Sequence, residues 1–334
     1  MARHSTVSDE TRGVVAVPEP AESHWTPTVI RPADVDVAPT SAGLLSHLAS
    51  IGDLDALLTE AKALVWRGFA VRPDEFDAVI DHLLPDRWAY THGNSPRTKV
   101  GSVGENVYTS TEYPPEFTIS MHNELSYAAR YPGRLLFYCQ QAPAAGGATP
   151  VVDGTRWLAA LDEEVRAAYR DGVRYRQNLH DGHGFGKSWQ ETFEATSRSE
   201  VERFLGDTAA EWEWRADGSL RVEQLGPSTV VDQRTGTEVW FNQSDQWHPA
   251  GLGDETAAML ADIMAEDDLP QSVSFADGTP IPAEFVTQVR DRGLREAVDN
   301  DWSDGDLMLI DNVLVGHGRR SFTGPRRVLV AMSG

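Results

Sequence analysis

Hydrophobic positions along this chain follow two periods. Behind Asp53, the residues Leu54, Leu57, Leu58, Ala61, Leu64 and Val65 recur at helical spacing until Gly68 interrupts them. Asp74 to Leu84 repeats the pattern up to Pro85. From Val107 to Gln140 the chain turns to short strands and turns, and Leu135-Leu136-Phe137-Tyr138-Cys139 reads as the most deeply buried strand. Thr155 to Tyr169 is again helical, with Trp157, Leu158, Leu161, Val165 and Ala168 on one side. Val173 to Gln177 resumes strand character. Val230-Val231 and Val239-Trp240-Phe241 flank Arg234-Thr235-Gly236 as a hairpin. Helices are expected at Glu255–Glu266 and Pro282–Asn300, and strands at Asp306–Asn312 and Arg326–Met332. Strands scattered among helices, without an internal repeat or a long linker, predict one mainly β domain over 26–334. It carries an insert around 155–230. Residues 1–25, small, polar and proline-bearing, are expected to form a poorly ordered leader.

Composition narrows the function. With 51 Asp and Glu against 29 Lys and Arg, the 334-residue chain carries a formal charge of −22. That charge opposes the counterion release that drives binding to a phosphate backbone, so nucleic acid is not an expected partner. A single cysteine, Cys139, excludes an internal disulfide framework and a thiolate zinc cluster. Set in an apolar strand, it reads as a buried structural thiol. The first residues lack an apolar stretch and include Asp9, Glu10 and Glu19, and no apolar run approaches the roughly 18 residues a bilayer span needs. The expectation is a cytoplasmic protein without a membrane partner.

The candidate chemistry begins at Met121-His122-Asn123-Glu124. On a strand, residues two apart project to one side, so His122 and Glu124 can approach one ion together. Such a pair is common by chance and gains meaning only with a second imidazole. His317 supplies it, directly after the apolar strand Leu309-Ile310-Asp311, and two His with one carboxylate form the facial triad of non-haem iron. Beyond it, Gly324-Pro325-Arg326-Arg327 offers a guanidinium able to grip a carboxylate with two parallel hydrogen bonds.

Together these segments resemble the Fe(II)/2-oxoglutarate dioxygenases of the taurine dioxygenase (TauD/TfdA) superfamily. Carrying the resemblance are Val107 to Pro114, Met121 to Tyr127, Gly146 to Pro150, Trp240-Phe241-Asn242, Asp311-Asn312 through His317-Gly318-Arg319, and Gly324 to Met332. Within the superfamily the chain looks most like the syringomycin-type amino-acid β-hydroxylases of nonribosomal peptide pathways. The resemblance implies a double-stranded β-helix, a cupin-like jelly roll with helical insertions. It implies Fe(II) on His122, Glu124 and His317, with 2-oxoglutarate and O₂ as co-substrates. It also implies a Thr149 hydroxyl and an arginine, Arg326 or Arg327, on the distal carboxylate of 2-oxoglutarate. Alternation lets only one of the two arginines face the iron, and Arg326 is preferred. Related halogenases replace the carboxylate ligand with a small residue, so the presence of Glu124 disfavours halogenation.

The implied activity is hydroxylation, at Cβ, of an amino acid or amino-acid-derived natural-product intermediate, free or tethered to a carrier protein. Carriers are usually acidic, so the charge of −22 favours a free small molecule. Desaturation or cyclisation at the same iron, and a non-catalytic cupin-type binding module, are the competing readings. Arg97, Glu112, Asn242 and His248 are candidate substrate contacts. His180-Asp181-Gly182-His183 has a metal-like look, but its glycines point to a loop near the site mouth.

Overall fold

The computed structural model describes residues 25–90 and 97–334, so the expected leader lies outside the described residues except for Trp25. Two sheets build the core. The larger has six strands, in the order Thr28–Ile30, Ala63–Trp66, Leu307–Asp311, Arg134–Gln141, Arg327–Ser333 and Tyr108–Thr109. Only its first pair is parallel. The smaller has four antiparallel strands, Val298–Asn300, Thr149–Asp153, Val315–Arg319 and Ile119–His122.

Alternation along the large sheet divides its side chains between two cores. Leu135, Phe137, Cys139, Met308, Ile310, Val328 and Val330 join Met121, Val151 and Val315 of the small sheet in one cluster. Leu136, Tyr138, Leu307, Leu309, Leu329 and Ala331 join a second, with Leu44 and Leu48 of helix Ser41–Ser50 and Phe76, Val79 and Ile80 of helix Phe76–Leu83. A sheet buried on both faces has no polar face to alternate with, which is why Leu135 to Cys139 is an unbroken apolar run. The two facing sheets form the double-stranded β-helix. Cys139 is buried there, and burial pushes its thiol up to about 12.

The insert is more ordered than its sequence suggests. Val173–Leu179, Glu211–Trp214 and Leu220–Gly226 join Gln271–Phe275 in a third, antiparallel sheet. Helices Trp189–Phe193 and Arg198–Gly206 give it a separate apolar core of Leu179, Trp189, Phe193, Val201, Leu205, Leu220 and Val222.

Several expected elements end sooner than their periodicity. The first helix stops at Ala61, because Lys62 takes φ +64 and Ala63–Trp66 leaves as a strand. The single helix expected over 155–169 is two, Gly154–Ala160 and Glu163–Ala168, parted by the extended backbone of Leu161 and Asp162. The helix expected to reach Asn300 ends at Glu296, and Val298–Asn300 pairs as an edge strand. The hairpin of Thr229–Val231 with Glu238–Trp240 forms as expected. No helix among the described residues is long and apolar enough to cross a membrane.

Candidate metal centre and co-substrate pocket

His122 ends its strand directly opposite His317, and the two imidazoles lie 4.3 Å apart between ring centroids. The flanking glycines allow this. A Cβ on Gly316 would meet the Trp157 ring at 3.0 Å, and one on Gly318 would meet the Ile119 carbonyl oxygen at 2.6 Å. Glu124 follows just beyond the strand end, held by Asn312. The Asn312 Oδ1 accepts the Glu124 N–H at 2.8 Å, and its Nδ2 donates to the Glu124 carbonyl at 3.1 Å and to Pro132 at 2.8 Å. Asn123 is fully buried and donates back to the Asn312 carbonyl at 2.7 Å. Leu125 then takes φ +58, a left-handed turn that costs a side-chain-bearing residue on the order of 1 kcal/mol.

His122, Glu124 and His317 are all buried, and one ligand atom from each lies within 4.8 Å of the others. No other such group of His, Cys, Asp or Glu occurs among the described residues. Burial pushes the pKa of His122 down, and that of His317 well down, the latter reinforced by His122 and Arg97. Both rings are therefore neutral and carry the lone pair a metal needs. His122 Nδ1 sits 3.0 Å from the Ser120 carbonyl, which places the proton on Nδ1 and leaves Nε2 free. Gln246 Nε2 donates to the same Ser120 carbonyl at 3.1 Å, so it steadies the acceptor of the His122 Nδ1–H and makes no hydrogen bond to the ring itself. His317 turns Nε2 toward Glu124, at 3.8 Å from Oε2. Two neutral imidazoles and a carboxylate with no thiolate suit Fe(II).

Next to the triad, Arg326 enters the same pocket. Its Nε donates to the Gly147 carbonyl at 3.0 Å, and its two terminal nitrogens reach Ser110 Oγ and Thr149 Oγ1, each at 3.3 Å. Thr149 Oγ1 also accepts from Trp302 Nε1 at 2.9 Å. Burial lowers the Arg326 pKa to about 10, still high enough to keep the guanidinium charged. Arg327 is exposed at the start of its strand, where a register shift separates it from Val328. Of the two expected arginines, only Arg326 lines the pocket. Arg319 lines it too, but its guanidinium is committed to the carbonyls of Tyr113, Pro114 and Phe117.

The expected substrate contacts separate. Arg97 lies in the pocket, almost wholly buried, with Nη2 2.5 Å from Glu124 Oε2 and its plane 4.6 Å above the Tyr90 ring. Its Nε and Nη1 are buried and have no hydrogen-bond partner among the described residues. The other three do not line this pocket. Glu112 is exposed and accepts from Thr109 Oγ1. Asn242 is fully buried and spends its amide on the Ser228 carbonyl and the Ser244 N–H, so it pins a turn. His248 caps the short turn Pro249–Leu252 through the Ala250 N–H and lines a different groove, with Phe185 and Lys187. His180 contacts the Gly186 carbonyl within its loop. Two contributors were not singled out from the sequence, Asn312 as the clamp on Glu124 and Gln246 as the support of His122 through Ser120. A buried asparagine at the end of an apolar strand was the one available signal.

Comparison with known proteins gives concordant matches. The model of the family described as taurine catabolism dioxygenase TauD, TfdA family matches residues 30–332. A dapdiamide synthesis protein, DdaC, of Enterobacter agglomerans is 36% identical over 297 residues, 88% of this chain and 89% of that one. A clavaminate synthase-like protein of Arabidopsis thaliana is 31% identical over 338 residues, 96% of this chain and 98% of that one. Among solved structures, an asparagine oxygenase in complex with Fe(II), 3-hydroxyasparagine and succinate aligns with a TM-score of 0.49 at 14% identity, over 87% of this chain and 79% of that one.

Proposed function

The chain belongs to the TauD/TfdA family and is an Fe(II)- and 2-oxoglutarate-dependent dioxygenase, and from that premise we propose that it hydroxylates an amino acid or an amino-acid-derived natural-product intermediate at Cβ. The observation that carries the reading is the convergence of His122, Glu124, His317, Thr149, Arg326 and Arg97 in one buried neighbourhood. In this reading the two imidazoles and Glu124 hold Fe(II). Iron bound there, with 2-oxoglutarate and O₂, supplies the oxidation of a C–H bond to an alcohol as succinate and CO₂ are released.

The chain's own residues do the rest. Thr149 and Arg326 take the distal carboxylate of 2-oxoglutarate, whose charge replaces neutral acceptors on the guanidinium. The Phe137 ring, 5.2 Å from that of His317, keeps that side of the centre apolar and dry. Arg97, whose Nε and Nη1 have no partner among the described residues, offers the charge-assisted hydrogen bonds that a substrate carboxylate needs. A relative named for dapdiamide synthesis supports an amino-acid-derived substrate. A net charge of −22 favours a free small molecule over one presented by an acidic carrier, and a cytoplasmic setting belongs to the same reading.

The test is turnover with Fe(II), 2-oxoglutarate and ascorbate over a panel of amino acids, free and carrier-loaded, with succinate and product mass measured together. A gain of one oxygen in step with succinate is the expected result. Loss of two hydrogens instead would move the assignment to desaturation or ring closure. No succinate above the uncoupled background with any amino acid would overturn the substrate class.

A further inference from the structure

A second cavity, of about 500 Å³, begins at Leu125, the residue after Glu124. Leu125, Tyr127 and Met332 supply its wall from the β-helix, and Phe193, Phe204 and Val222 supply the opposite wall from the insert. Gln177 and Gln224 add the amides of two neighbouring insert strands. Arg87 on the rim is engaged by Asp77 and Asp81, and Arg130 is exposed over the Trp88 ring at 5.9 Å, so the charges stand at the mouth while the walls are mainly apolar. Arg97 is not among the lining residues but lies near Tyr127, which is. Tyr90, whose ring carries the Arg97 guanidinium, follows the lining residue Ala89.

We propose that this cavity selects the substrate. It takes an uncharged, largely apolar extension of several carbon atoms, borne by an amino acid whose carboxylate faces Arg97. The proposal rests on the amino-acid reading above for the carboxylate end, whereas the cavity's own chemistry carries the rest. Apolar walls of this size reward each methylene removed from water, and they leave a second charge unpaired. The insert then has a role: it closes the mouth of the β-helix with a wall suited to a hydrocarbon tail.

The experiment is calorimetric titration of the full-length protein, loaded with Fe(II) and 2-oxoglutarate under argon, with straight-chain 2-amino acids from 2-aminobutyrate to 2-aminodecanoate. Kd is expected to fall about fourfold per added methylene until the cavity is full. Val222→Trp and, on a separate turn, Thr208→Trp fill the cavity from two sides and are expected to flatten the series, with melting temperature confirming that each variant folds. A Kd independent of chain length, or an unchanged series in both variants, would overturn the proposal. Length-dependent binding without oxidation of any member would uphold the cavity assignment and overturn the hydroxylase reading. Oxidation of short members without any length dependence would do the reverse.

Discussion

The two sides of Glu124 are built on opposite plans. Toward His122 and His317, paired strands set the positions and most polar groups have a partner: Asn312 holds the Glu124 backbone, Ser120, itself steadied by Gln246, holds His122, and Gly147, Ser110 and Thr149 hold Arg326. Toward Leu125, the wall is mainly apolar side chains from a loop, the last strand and the insert, with the amides of Gln177 and Gln224 and the guanidinium groups of Arg87 and Arg130 added. In the proposed function one side receives a metal and a dicarboxylate of fixed shape, so rigidity and satisfied hydrogen bonds are what it needs. The other discriminates by size and hydrophobicity, which needs volume more than directed bonds. A division of labour follows, with chemistry on the sheets and selection on the insert.

The comparison is broken most completely at the sheets. His122→Ala or His317→Ala should abolish iron binding and reduce coupled succinate release to background, as read by metal content and turnover. Full activity in either variant would refute the triad. Arg326→Leu is expected to raise the KM for 2-oxoglutarate about 100-fold, because removing one partner of a buried charged pair costs roughly 2–5 kcal/mol. Arg327→Leu, exposed and outside the pocket, should leave that KM within about twofold. Equal effects from the two would erase the distinction drawn between them. Gln246→Leu removes the amide that donates to the Ser120 carbonyl, the acceptor that fixes the His122 Nδ1–H. A loss of about 10-fold in iron affinity is expected, the lower end for such outer partners, and titration with Fe(II) under argon reads it.

The remaining effect is on stability, outside the chemistry. Asp245, next to Gln246 on the helix Ser244–Trp247, is buried, and burial raises its pKa to about 6 against the opposing pull of Ser120 and Arg290. A carboxyl whose pKa is higher folded than unfolded binds more protons in the folded state between the two values. Its contribution is therefore present below about pH 4 and lost as pH rises through 6. Asp245→Asn should gain roughly 3 kcal/mol over the wild type near pH 8 and less than about 1 kcal/mol near pH 4. Thermal melts at the two pH values decide it.

What could be read in the sequence divides along the same line. His122, Glu124 and His317 were singled out because metal chemistry asks for particular residue types, and Thr149 and Arg326 through the family resemblance; alternation explains less, since Glu124 lies beyond its strand and Arg326 before its own. The buried strand Leu135 to Cys139 was legible through its unbroken apolar run. Glu112, Asn242 and His248 misled because lying within a characteristic segment says nothing about which way a side chain turns. Asn242 faces inward and is consumed by its own turn. The cavity was invisible for a different reason: Trp88, Leu125, Phe193, Val222 and Met332 come from segments far apart in the chain, and apolar residues look alike until the fold assembles them.

The central claim is that this β-helix uses iron, 2-oxoglutarate and O₂ to place one oxygen on an amino-acid carbon. Turnover under isotopically labelled O₂, followed by mass spectrometry of both products, tests it most directly. One labelled atom in succinate and one in the hydroxylated substrate, formed in equal amounts and lost together in His317→Ala, is the predicted result. Unlabelled succinate, or succinate formed without any oxygenated or dehydrogenated product, would contradict it.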